Sequence, residues 1–201
     1  MDGCSMMKQP HVDVNLGTII EPSRIHGTHA KDLIVLHETV SGDAAGTSDI
    51  TSPARFLNQE GYGIHLIVDA EGKSGWVGNP NVVVYHAASG AGHVNTRSVG
   101  IEQVSSIPLS PSPFRYQQWK ARRKQLDKVA QWCAWIHTVC GVPLDYSDSS
   151  VPGITTHWDV SHRWLDGHGH WDCWPKHKAG YYPVLYVVQK ARNILKESQN
   201  V

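Results

Sequence analysis

The 201-residue chain balances 18 basic against 18 acidic residues, so no whole-molecule field draws it to nucleic acid or to an anionic membrane. Its length suits one well-filled domain, and no apolar run reaches the length of a membrane span. The cysteines Cys4, Cys133, Cys140 and Cys173 form neither a CxxC pair nor a disulfide framework, and they read as reduced thiols.

The N-terminal MDGCSMMKQPHVDV has one lysine and no apolar core, which predicts cytoplasmic synthesis without a secretory signal. Residues 1–31 are broken by Pro10, Gly17, Pro22 and Gly27 and read as an irregular lead-in with a short strand near Thr18–Ile20. Leu33 to Leu36 is an apolar run with β-branched members, as in a strand buried on both faces, and His37 stands at its C-terminal end. Ser41 to Ser52 reads as a loop, and Pro53–Asn58 as a short helix with proline at its first position.

Ile64–Val68 predicts a second strand, Asp69–Gly72 a hairpin turn and Lys73–Val77 the return strand. His65 falls inside a strand and reads as structural. Val82–Tyr85 predicts a further strand leading to His86. Ser98–Val104 predicts an interior strand in which Glu102 lies between apolar neighbours, a costly place for a carboxylate unless it is paired or employed. Ile107–Pro113 reads as a proline-rich linker. Phe114–Cys140 reads as one long helix, because Trp119, Leu126, Val129, Cys133, Ile136 and Cys140 form an apolar stripe. Gly141 and Pro143 stop it. Tyr181–Glu197 predicts a last helix with Pro183 near its start.

Between these two helices, Thr155 to His177 holds five of the thirteen histidines, namely His157, His162, His168, His170 and His177. Asp159, Asp166, Asp172 and Cys173 lie among them. Imidazole, carboxylate and thiolate are the ligands zinc takes. The glycines and Pro175 make much of the stretch loop, and a polar surface loop that binds metal incidentally is the plain alternative.

Taken in order, the strand ending at His37, the Ile64–Val68 hairpin, Tyr85-His86-Ala87, Ser98-Val99-Gly100-Ile101-Glu102, Thr156-His157-Trp158-Asp159-Val160 and His170-Trp171-Asp172-Cys173-Trp174-Pro175 resemble the zinc-dependent N-acetylmuramoyl-L-alanine amidases of type 2. Phage endolysins, cell-wall recycling amidases and peptidoglycan recognition proteins share that family. The likeness covers about residues 32–176 and leans toward endolysins of phages of mycobacteria and related actinobacteria. It implies an α/β fold, a mixed central sheet flanked by helices, with residues 32–201 as a single catalytic domain. It implies zinc held by His37, by His157 of a [GT]-H-x-D-V motif, and by Asp172 or Cys173.

Laying D-C-W-P on the family's D-P-G-P keeps Pro175 and selects Asp172. Laying C-W-P on C-P-G selects Cys173 and misplaces the proline. Two positions depart from the family pattern. Ile64 stands where many members have tyrosine, and His170 stands where lysine is usual. The resemblance assigns Glu102 as the base and His170 as the oxyanion donor, with His86, Asn95 and Ser98 lining the muropeptide groove. It implies a monomer acting on peptidoglycan, with no nucleic-acid partner and no membrane insertion. Release to the wall would follow a separate membrane lesion. Two other classes are a non-catalytic peptidoglycan binder of the same fold and a structural zinc protein, which would want a fourth ligand.

Overall fold

The computed structural model describes residues 7–39, 49–87, 93–107, 113–149, 151–164, 170, 172–173 and 181–200. Cys4, Asp166, His168, Pro175 and His177 lie outside them, as do most of the expected loop at 41–52 and linker at 107–113.

Two strands fall within the lead-in, β1 (Val14–Asn15) and β2 (Ile25–Thr28). After them come β3 (Leu33–Glu38), helix α1 (Thr51–Gln59), β4 (Leu66–Val68) and β5 (Ser74–Trp76). Next are β6 (Val82–Val84), the helical turn α2 (Val94–Arg97) and β7 (Ser98–Gln103). Helices α3 (Pro113–Ala121) and α4 (Arg123–Cys140) precede β8 (Gly153–Thr156). A single turn α5 (His157–Asp159) runs into a π-helical turn (Val160–Trp164), and α6 (Val184–Gln199) closes the chain. Among the described residues no helix is long and apolar enough to cross a membrane.

Among the described residues, six strands form one mixed sheet in the order β1-β5-β4-β7-β3-β8, and β2 pairs antiparallel with β6 in a second, two-stranded sheet. Within the large sheet β4, β7, β3 and β8 are parallel. Strands covered on both faces carry continuous apolar runs, which is why Leu33–Leu36 reads as it does. Side chains alternate across the sheet. Ile34, Leu36, Val99 and Ile101 join Trp119 of α3, Trp132 of α4 and Val187 of α6 in the main core. Val35 packs with Val94 and Val160 in a cluster on the other face. Burying each large aliphatic side chain contributes about 1.5–3 kcal/mol. The same period of two puts His37 on the face of Val35, beside Ser98, Gly100 and Glu102. It puts Glu38 on the helical face, where a buried ion pair joins it to Arg115 of α3.

Two expectations are corrected. Within residues 7–31, β1 extends the large sheet beside β5, and Leu16 and Ile20 pack with Ala54 of α1. The strand expected at Thr18–Ile20 is a 3₁₀ turn over Leu16–Thr18, because the Asn15 side chain accepts from the Gly17 amide and caps it. The long helix breaks at Arg122, whose backbone leaves the helical region. Its guanidinium turns to the end of β7, donating to the Val104 carbonyl at 3.0 Å. No glycine or proline marks that break, so periodicity runs through it.

Candidate metal centre

The carboxyl ends of the parallel strands assemble the site, where open α/β sheets present their chemistry. Glu102 of β7 is in register with His37 of β3. On the other side of β3 the last register pair is Leu36 with Thr156, so His157 begins the next step beside His37. The chain turns there because Thr156 caps α5, its hydroxyl accepting from the Asp159 amide at 3.2 Å. The buried Asp159 carboxylate accepts in turn from Thr156 Oγ1 at 2.8 Å and from Tyr146 Oη at 2.7 Å, and Arg163 pairs with it at 3.2 Å. Thr156 and Asp159 of the T-H-x-D-V motif therefore hold His157 in place.

Asp172 Oδ2 lies 3.3 Å from His37 Nδ1 and 3.1 Å from His157 Nδ1, with the two rings 4.4 Å apart between centroids. One donor atom from each of His37, His157 and Asp172 lies within 4.8 Å of the others. Tetrahedral zinc with bonds of about 2.0–2.1 Å separates neighbouring donors by about 3.3 Å, so the donor set suits that ion in chemistry and spacing. Burial and the His157 ring push His37 down to about 4 against the pull of Asp172, which leaves it neutral and able to donate a lone pair. Burial alone would raise Asp172, but the two imidazoles outweigh it and hold the carboxyl below its usual range.

Cys173 turns the other way. It is fully buried in the main core, where Gln103 Nε2 approaches Sγ at 3.6 Å, and burial pushes the thiol up. The same Gln103 amide donates to the His37 carbonyl at 3.1 Å and accepts from Tyr182 Oη at 2.6 Å. Sequence reasoning missed Gln103, which ties the first histidine's strand to the cysteine and to the last helix. Its one legible signal was a polar residue at the buried end of an interior strand.

The three residues open onto a groove of about 870 Å³, whose wall also includes Glu102, His170, His86 and Asn95. Burial, with the Asp172 carboxylate, raises Glu102 well above the usual carboxylate range. His170 is exposed and stacks on His157 at 4.2 Å and 24°. Asn95 Oδ1 holds the chain after β6, accepting from the amides of His86 at 3.1 Å and Ala87 at 2.8 Å. Ser98, expected at the groove, is fully buried, because its place on β7 lies beneath the His86 ring. His65 lies one residue before β4, fully buried, where it accepts from the Gly100 amide and donates to the Val82 carbonyl. Burial pushes it down to about 3, in keeping with a structural ring. The groove rim also carries Phe56, Tyr62 and Tyr85, all strongly exposed.

The N-acetylmuramoyl-L-alanine amidase family model matches residues 27–176. No curated protein matches the chain. The fold is similar to the Staphylococcus aureus hydrolase AmiA in complex with its ligand, with a TM-score of 0.64 and 17% identity over 96% of this chain and 88% of that one. It is similar to the N-acetylmuramoyl-L-alanine amidase LysC from Clostridium intestinale URNW, with a TM-score of 0.57 and 16% identity over 92% and 99% of the two chains. The endolysin amidase LysCS from the same organism gives 0.52 and 16% over 78% and 89%. At these identities the likeness is one of fold.

Proposed function

The chain belongs to the N-acetylmuramoyl-L-alanine amidase family, and from that premise we propose that His37, His157 and Asp172 hold the zinc ion with which it hydrolyses the amide between N-acetylmuramic acid and L-alanine in peptidoglycan. The observation that carries the reading is the convergence of two imidazoles and one carboxylate at the floor of an open groove. Three protein ligands are the count used by catalytic rather than structural zinc sites. Zinc bound there supplies a Lewis acid for water activation and carbonyl polarisation.

The chain's own residues carry the remaining steps of this proposal. Glu102, raised by burial, accepts the proton of the attacking water and passes it to the leaving L-alanine nitrogen. His170, stacked on His157 at the groove wall, donates to the developing oxyanion. Asn95 and the edge of His86 form the wall that faces the muropeptide. The described chain acts as one catalytic domain that takes in β1 and β2, works as a monomer, and reaches the wall through a membrane breached by another protein. An actinobacterial wall as target rests on the motif likeness alone.

Purified cell wall treated with the enzyme should release stem peptides with new free L-alanine amino groups and no new reducing sugar ends. New reducing ends without free amino groups would assign a glycosidase and end the amidase reading. The third ligand has its own test. Asp172→Ala should strip zinc from the protein, whereas Cys173→Ser should keep zinc and nearly all activity, because Sγ lies in the core. The reverse pattern, with loss of a sulfur-to-metal charge-transfer band in cobalt-loaded Cys173→Ser, would transfer the role to Cys173.

A further inference from the structure

His86 has both ring nitrogens engaged inside the protein. Nδ1 lies 3.0 Å from His37 Nε2, and Nε2 lies 3.0 Å from Ser98 Oγ. Ser98 Oγ in turn lies 2.5 Å from the Val94 carbonyl. A carbonyl only accepts, so the single hydroxyl proton of Ser98 goes to Val94. Ser98 must then accept from His86, which puts the His86 proton on Nε2. A neutral imidazole carries one ring proton, and with that proton on Nε2 toward Ser98 the Nδ1 of His86 is bare. A bare Nδ1 accepts from His37 Nε2–H. The His37 lone pair is thereby fixed on Nδ1, the nitrogen that faces Asp172 and His157.

Strand β7 is shaped for this chain of bonds. A Cβ on Gly100 would lie 2.6 Å from both Cγ and Nδ1 of His86, so only glycine leaves room for the ring. Ser98, Gly100 and Glu102 alternate along one face of the strand, as anchor, seat and proton acceptor. His157 differs, because among the described residues its buried Nε2 has no such partner.

We infer that His86 and Ser98 are positioning residues that preset the tautomer of His37 for metal binding, and that neither offers a polar group to the substrate. A ligand histidine held this way loses about 10–100-fold in metal affinity when its outer partner is removed. The inference rests on His37 as a metal ligand, but its first test does not need the metal. In metal-free wild-type protein with ¹⁵N-labelled histidine, long-range proton–nitrogen spectra should place the ring protons of His37 and His86 on Nε2. A His37 proton on Nδ1 would overturn the relay, whatever the zinc result.

Zinc affinity, read by competition with a chelating dye, should fall about 10–100-fold in His86→Ala. It should also fall in Ser98→Ala and recover in Ser98→Thr, which keeps the hydroxyl. Unchanged affinity in both alanine variants would equally overturn it. Wild-type protein that binds no zinc would remove the proposed function instead, and the ring protons would still decide the relay.

Discussion

His37→Ala and His157→Ala are each expected to lose zinc and wall hydrolysis together. Each removes one of three donors grouped within 4.8 Å, and the two that remain hold zinc poorly. Dialysed wild-type protein should retain about one zinc per chain by elemental analysis, and either variant close to none. Neither change should unfold the protein, since the main core lies on the other face of the sheet, with Trp119, Trp132 and Val187. Full activity in either variant would end the metal reading.

Glu102→Gln should leave fold, zinc and wall binding intact and lower turnover by about 10²–10⁴-fold, the usual weight of a general base. The sign of the pH dependence follows from its burial. The base works ionised, and burial with Asp172 lifts it well above the usual range. Wild-type turnover should therefore rise with pH along an acid limb above about 4.3, the ordinary glutamate value, and Glu102→Gln should lack that limb. Stability runs the opposite way. Because the folded value is raised, the native state holds the proton longer than the unfolded chain. Stability is full below the unfolded value and is lost as pH rises toward the folded one. Glutamine cannot ionise, so metal-free Glu102→Gln should melt above metal-free wild type at neutral pH. Normal turnover in the variant would make Glu102 a structural strand residue.

The parallel strands were legible because burial on both faces writes itself as apolar runs, and Leu33–Leu36 and Ser98–Gln103 fall where those runs predict. The residues of the site were legible for a different reason. His37 ends such a run and Glu102 lies within a predicted interior strand, whereas His157 was marked by the histidine-rich stretch and its T-H-x-D-V motif; parallel register then sets them side by side. Two-residue β1 carries too little pattern to separate from loop, and its place depends on a partner sixty residues away. The break at Arg122 depends on a guanidinium reaching a carbonyl, which no local propensity records. Ser98 was misplaced because the sequence shows which face of a strand a residue shares but not what lies between it and the groove. Gln103 was missed because its partners, the His37 carbonyl, Cys173 and Tyr182, come together only through the tertiary fold.

The most direct test is a crystal of the zinc-loaded protein measured on both sides of the zinc absorption edge. One anomalous peak per chain is expected, within bonding distance of His37 Nδ1, His157 Nδ1 and the Asp172 carboxylate, with Cys173 Sγ remote in the core. A peak on Cys173, or no peak among these residues in protein that still cleaves the wall, would contradict this expectation.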